Sequence, residues 1–167
     1  MGSAGSAKAA AAAGEERLSM NCTIRQAGPA DEKKIRELFL EMLQTIYQTE
    51  AAEGYEDGYL DKFWAGNEDR VYVAEDRGVV AFLSVEVHHE QEDYIYLDDF
   101  SVTEAYRGKG VGTSLINTAE AYAKEINIPE AFLHVEKTNS SAMRFYERSG
   151  YSIYRDDGHR YLLKKNL

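Results

Sequence analysis

Apolar residues recur at intervals of three and four between Ile35 and Ile46. Ile35, Leu38, Phe39, Met42, Leu43 and Ile46 form one stripe, which predicts an amphipathic helix. Gly28-Pro29 opens it, and Asp31 and Glu32 favour its positive end. Cys22 to Gln26 alternates loosely and predicts a short strand before it. Val71 to Ala74 and Val79 to Val87 predict two strands joined by a turn at Asp76-Arg77-Gly78. A turn over Glu90 to Asp93 leads into a β-branched and aromatic run from Tyr94, with Ile95, Leu97, Phe100 and Val102. Val111, Leu115, Ala119, Tyr122 and Ile126 mark the buried face of a further helix that stops around Asn127 and Pro129. A short strand over Ala131 to Val135 follows. Asn139 or Ser140 then caps a helix carrying Ala142, Phe145 and Tyr146, closed by Gly150. Tyr151 to Arg155 and His159 to Leu163 flank Asp157-Gly158, a two-residue hairpin signal.

Between the first helix and the strands lies an acidic stretch from Glu50 to Asp61, broken by Gly54 and Gly58. Tyr55, Tyr59, Phe63 and Trp64 are interleaved with it, and a second, looser helix is expected over Tyr59 to Ala65. Aromatic rings beside carboxylates suit a cation, and they also suit a solvated helix face with a few core rings. The predicted order is β, α, α, β, β, β, α, β, α, β, β. Such an order requires a mixed sheet covered by helices, with crossovers before Ala131 and Tyr151.

Composition narrows the classes. The chain of 167 residues is long enough for one ordinary domain, and its apolar content with 12 Tyr argues for a folded one. Met1 to Ser19 reads as an appended linker rather than a signal peptide, with the natural start expected at Met20 and the single domain over 20–167. No apolar run approaches a membrane span. One cysteine, Cys22, excludes an internal disulfide and fits a reducing cytoplasm; a buried strand thiol is its expected state. The net charge of −10 argues against nucleic acid and anionic membranes as partners and is compatible with a cationic amine. His88-His89-Glu90 lacks a third ligand at a recognised spacing, so no metal is expected.

Tyr106-Arg107-Gly108-Lys109-Gly110-Val111-Gly112-Thr113 joins the central strand to a helix. Such a loop can turn backbone N–H groups inward, and the helix that follows adds its positive end, together a site for phosphate oxygens. The dinucleotide spacing fails at Thr113 and Leu115, and the P-loop spacing fails at Thr103 and Gly110. What remains, Arg107-x-x-Gly110-x-Gly112, resembles the acyl-CoA pyrophosphate loop of the GNAT superfamily of N-acetyltransferases. Thirty residues on, Asn139-Ser140-Ser141-Ala142-Met143-Arg144-Phe145-Tyr146-Glu147-Arg148-Ser149-Gly150-Tyr151 is similar to that family's later motif, Asn-x-x-Ala-x-x-Phe-Tyr-x-x-x-Gly-Phe/Tyr. Glu104 departs from the Pro that many members carry before the loop.

The resemblance implies an α/β (α+β) fold: a mixed, mostly antiparallel sheet of six or seven strands, flanked by four helices, with two central strands splaying apart. It implies acetyl-CoA as cosubstrate without a metal, its pantetheine arm pairing with the backbone of Phe100 and Val102. Backbone N–H groups from Arg107 through Gly108, Lys109, Gly110, Val111 and Gly112 to Thr113 would hold the pyrophosphate, and the Asn139 side chain would reach the arm. Family habit also suggests a homodimer.

Chemistry adds a constraint. An alkylammonium of pKa ~10.4 is neutral in about one part in 2500 at pH 7, a penalty of roughly 4.6 kcal/mol, so the acceptor must be deprotonated. Asp98-Asp99 offers two acids that a regular strand points opposite ways and that a bulge would turn to one side. The run Tyr96-Leu97-Asp98-Asp99-Phe100 is similar to that of polyamine acetyltransferases, and aminoglycoside 3-N-acetyltransferases share the second acid. That similarity implies Asp98 as base and Asp99 as cation holder, with Glu86 the alternative base. Tyr146, at the motif's tyrosine, would give its proton to the thiolate leaving group. The expected activity is direct acetyl transfer to a small cationic amine. A protein lysine or N-terminal acceptor, and a non-catalytic acyl-CoA sensor, are the alternatives.

Overall fold

The computed structural model describes residues 22–167; the linker and the expected start at Met20 lie outside the described residues. A strand β1 (Thr23–Gln26) leads through a 3-10 turn (Pro29–Asp31) into helix α1 (Glu32–Tyr47). A 3-10 segment (Tyr59–Trp64) replaces the looser helix expected there. Next come β2 (Arg70–Glu75), β3 (Val79–His88) and β4 (Tyr94–Val102), then α2 (Val111–Glu125) and β5 (Glu130–Glu136). Helix α3 (Ser140–Arg148), β6 (Ser152–Asp156) and β7 (Arg160–Asn166) complete the chain. No helix among the described residues is long and apolar enough to cross a membrane.

The strands form one seven-stranded sheet in the order β1-β2-β3-β4-β5-β7-β6. Every neighbouring pair is antiparallel except β4 and β5. Both expected crossovers exist. Helix α2 links parallel β4 and β5, while α3 carries the chain over to β6 and leaves room for β7 to pair with both β5 and β6. The last hairpin turns through Asp157, Gly158 and His159 rather than two residues, closed by Asp157 N–H donating to Arg160 O at 2.9 Å.

The parallel pair is very short. Only Ile95↔Ala131 and Tyr96↔Phe132 align, although β4 runs on to Val102 and β5 to Glu136. The two strands therefore diverge in the middle of the sheet. Thr103 N–H bonds Val80 O at 2.9 Å, and Ala81 faces Val102. Antiparallel alternation then points the backbone groups of Phe100 and Val102 away from β3, into the gap.

Two apolar layers cover the faces. Ile35, Leu38, Leu60, Phe63, Val71, Val73 and Phe82 pack under α1 and the 3-10 segment. On the other face Leu83, Val85, Ile95, Leu97, Phe100, Leu115, Leu133, Phe145 and Tyr146 pack beneath α2 and α3. The stripe of α1 holds at Ile35, Leu38 and Met42 but ends early: Ile46 is 46% exposed, because the last turn of α1 overhangs an open cavity instead of the sheet. Cys22 is half-buried just ahead of β1, not in the core.

Gly112 corrects the simple picture of three flexible glycines. Gly108 and Gly110 take φ of 70° and 82°, as a turn into a helix demands. Gly112 is already helical and buried, and an added Cβ would sit 3.2 Å from Phe100 Cζ and 3.5 Å from Phe145 Cζ. Its role is close packing. A Gly112→Val substitution should cost about 1–3 kcal/mol, read as a lower urea midpoint at unchanged slope; an unmoved midpoint would mean the two rings yield freely.

Candidate active site

The acids sit where β4 gains a residue. Leu83 pairs with Phe100 and Val85 with Leu97, so Asp98 and Asp99 together oppose the single residue Ser84. This two-against-one arrangement is a bulge, and it carries both carboxylates to the wall of one cavity. The buried Ser84 hydroxyl accepts from Asp99 N–H at 2.8 Å and lies 3.5 Å from Asp99 O. A backbone unit freed from the ladder is thereby satisfied.

Residues 55–62 form a roof over the acids. Tyr55 O–H donates to Asp99 Oδ2 at 2.5 Å, and Tyr59 O–H lies 3.4 Å from Asp98 Oδ2. Lys62 Nζ donates to Glu86 Oε2. Phe39, Tyr55 and Tyr59 stack face to face, with centroids 3.8 and 4.8 Å apart. Arg36 pins the segment by donating to Tyr55 O and Glu56 O at 2.8 and 2.9 Å. Aromatic residues that the sequence left between two readings thus stand directly on the carboxylates.

Burial and the neighbouring Asp98 charge push the Asp99 carboxyl up to about 7, against the opposing hydrogen bond from Tyr55. Burial also raises Asp98, with the Glu86 charge adding to it. Two acids so close and partly shielded from water cannot both ionise as freely as in bulk solvent. Asp99 is consequently poised to exchange a proton near neutrality.

The cavity has a volume of about 460 Å³ and runs from Ile46 and Tyr47 of α1 across Asp98 and Asp99 to Asn139. Tyr96 and His134, which sequence reasoning missed, lie on its wall. Tyr96 O–H lies 2.5 Å from His134 Nδ1, and His134 Nε2 lies 2.8 Å from Asp157 Oδ2. Arg155 holds the same carboxylate at 2.6 and 3.1 Å. Hydrogen bonds from Arg155 and then His134 keep Asp157 well below the ordinary carboxylate range, so it accepts. His134 then carries its proton on Nε2, and Tyr96 donates to Nδ1. Alternation was the available signal: Tyr96 shares a face with Asp98, and His134 with Glu136. The partner Asp157 was invisible, read only as a turn residue.

Tyr146 is not on the cavity wall. Its ring is buried against Phe145 and Tyr151 on the α3 side of the splayed strands. Burial first, and Tyr96 second, push its hydroxyl above the ordinary tyrosine value, so it keeps its proton. Glu86 lies on β3 opposite Tyr96, paired with Lys62 and 3.5 Å from His88 Nε2. Among the described residues no cluster of three His, Cys, Asp or Glu could hold a metal.

The glycine loop fits a phosphate group, with one change to the expected donors. Arg107 N–H bonds Glu104 O at 3.1 Å, so this amide is already satisfied, and Arg107 Nε donates to Val102 O at 2.8 Å. Gly108 to Thr113, with Lys109 among them, form the turn and the first helical residues that follow. Helix α2 starts at Val111 from a Gly110 cap that supplies no side-chain acceptor. In that first turn Thr113 Oγ1 is buried with no hydrogen-bond partner. An orphan hydroxyl among helix N-terminal amides suits an anionic oxygen. Asn139 Oδ1 accepts from Ala142 N–H at 3.2 Å as the cap of α3, and Asn139 lines the cavity.

The sequence profile of the Acetyltransferase (GNAT) family matches residues 37–151. Streptothricin acetyltransferase A of Bacillus subtilis is 29% identical over 114 residues, covering 63% of this chain and 65% of that one. The N-acetyltransferase MJ1530 of Methanocaldococcus jannaschii is 32% identical over 130 residues, 77% of this chain and 76% of its own. Several curated relatives are longer than the matched stretch, which spans 40% to 65% of their length. PaiA N-acetyltransferase of Thermoplasma acidophilum, crystallised with coenzyme A, superposes with a TM-score of 0.71 at 20% identity, over 87% of this chain and 99% of that one. Because the family profile covers residues 37–151, well over half of the chain and with it the splayed strands, the glycine turn and the Asn139–Tyr151 motif, the chain belongs to the GNAT acetyltransferase family.

Proposed function

We propose that this protein transfers an acetyl group from acetyl-CoA to the primary amine of a small cationic acceptor. One observation carries the acceptor class: two carboxylates, turned to one side by the bulge, line a cavity walled by Phe39, which stacks in line with the Tyr55 and Tyr59 rings whose hydroxyls meet the acids. Such a site attracts an ammonium group and still holds an acid able to deprotonate it. Bound acetyl-CoA supplies a thioester. The residues of this chain hold its phosphates at Gly108–Thr113 and its arm along Phe100 and Val102.

Asp99 is the better base, although the similarity to polyamine enzymes implied Asp98. Its position near pH 7 lets it accept a proton from the ammonium, while Asp98, the more accessible acid, holds the cation. The freed amine nitrogen attacks the thioester carbon, the carbon–sulfur bond breaks, and Tyr146 gives its proton to the departing thiolate. Of the two nitrogen protons lost between ammonium and amide, the second, shed by the tetrahedral adduct, returns to Tyr146, and the first stays on Asp99. Tyr96, His134 and Asp157 lead from the same wall toward the β6–β7 turn and offer that proton a way out.

A panel of butylamine, diamines, aminoglycosides and peptides with free N-termini, assayed for release of free CoA, tests the acceptor class. Small cationic amines should turn over. Turnover of peptides alone would overturn the small-amine reading, and CoA binding without any turnover would leave a sensor. Deprotonating Asp99 creates the base, so kcat should rise with pH through about 7. In Asp99→Asn that rise should vanish and kcat should fall about 10²–10⁴-fold; an unchanged profile would exclude Asp99. Tyr146→Phe should lower kcat by about 10²-fold or more with CoA affinity, measured by calorimetry, hardly moved. Equal turnover would remove Tyr146 from the mechanism.

A further inference from the structure

The roof over the acids ends in a residue that resembles the proposed substrate. Lys62 carries a primary alkylammonium, 35% exposed at the side chain, bonded to the largely buried Glu86 carboxylate. Its Nζ also lies over two aromatic faces, 4.9 Å from the Tyr59 centroid and 5.1 Å from that of Phe63. Burial opposes its charge, but Glu86, then Tyr59 and Asp98, outweigh this and hold it protonated. A carboxylate with two ring faces is an ammonium site in its own right. Here a flexible, surface-reaching side chain fills it from a 3-10 segment that opens from a left-handed Gly58.

Glu86 stands next to the cavity's acids, close enough for its charge to act on Asp98. It stands on β3 opposite Tyr96, whose side chain lines the cavity, and its near neighbours on β4 are Asp98 and Asp99. Neighbouring strands about 4.8 Å apart and the two residue steps of about 3.3 Å from Tyr96 to Asp98 put the Glu86 and Asp98 positions ~8 Å from one another. A five-carbon chain separates two amines by a similar length. We propose that Glu86, with the faces of Tyr59 and Phe63, is a second cation subsite that Lys62 fills in the free protein, and that the distal ammonium of a 1,5-diamine takes it over by displacing Lys62. Lys62 thereby sets specificity: a monoamine leaves it in place, and a diamine must expel it.

The inference rests on the small-amine reading above, and its test separates the two. Pentylamine and 1,5-diaminopentane are compared as acceptors, at saturating acetyl-CoA, in the wild type, Lys62→Met and Lys62→Met/Glu86→Gln. The Met variant keeps the stem of the side chain against the rings, and Lys62→Gln replaces it if Met impairs folding. Removing the internal ammonium should raise the diamine-to-monoamine ratio of kcat/KM by about tenfold, mainly through KM, as the loss of one competing cation–aromatic contact and ion pair implies. The additional Glu86→Gln change should return the ratio to the wild-type value or below. Failure of the wild type to acetylate either amine would overturn the small-amine reading itself. Turnover of both with a ratio that Lys62 does not alter would overturn the subsite alone.

Discussion

One extra residue in β4 governs the rest of the site. Had Asp98 and Asp99 followed regular pleating, one would have entered the α2–α3 core and the other faced α1. Buried unpaired in that core, a carboxylate would cost several kcal/mol. The bulge avoids this because the Ser84 hydroxyl satisfies the displaced Asp99 amide. Downstream of it, Phe100 returns to the core face, where it packs against Gly112 and Phe145. The same local defect therefore gathers the acids on one side and seats the glycine turn on the other.

The splay completes the geometry. Two aligned residues are all that join β4 to β5, so a gap opens between the face bearing Asp98, Asp99 and Tyr96 and the face bearing Tyr146. An arm lying in that gap can present a thioester to acids from one side and to a buried tyrosine from the other. A parallel pair that ran its full length would seal the two faces from each other. Charge is managed across the roof: Tyr55, Tyr59 and Lys62 each face one acid, at Asp99, Asp98 and Glu86 respectively.

Much of this was legible before the structure. The stripe of Ile35, Leu38 and Met42, the crossover through α2 and the Asn139 cap follow from periodicity and local hydrogen bonding, which the chain encodes over a few residues. The adjacency of Asp98 and Asp99 raised the bulge as a requirement of the chemistry, but only pairing with Ser84 settles it, because register belongs to two strands. Tyr96, His134 and Asp157 come from three strands brought together by the sheet order, and no local pattern links them. Ile46 misled for a related reason: a helix stripe continues whether or not anything lies beneath its last turn. Gly112 reads as a turn glycine in a glycine-rich run, and its packing role depends on two rings 12 and 33 residues away.

Proton transfer at Asp99 depends on the bulge holding it in a partly shielded place beside a second acid. Carbon-13 NMR of the Asp99 side-chain carboxyl, assigned by comparison with Asp99→Asn, reads this directly as the pH is varied. Titration centred near 7, shifting downward when Asp98 becomes Asn, is the predicted result. A midpoint near that of an ordinary aspartate, about 3.9, with no response to Asp98, would contradict it.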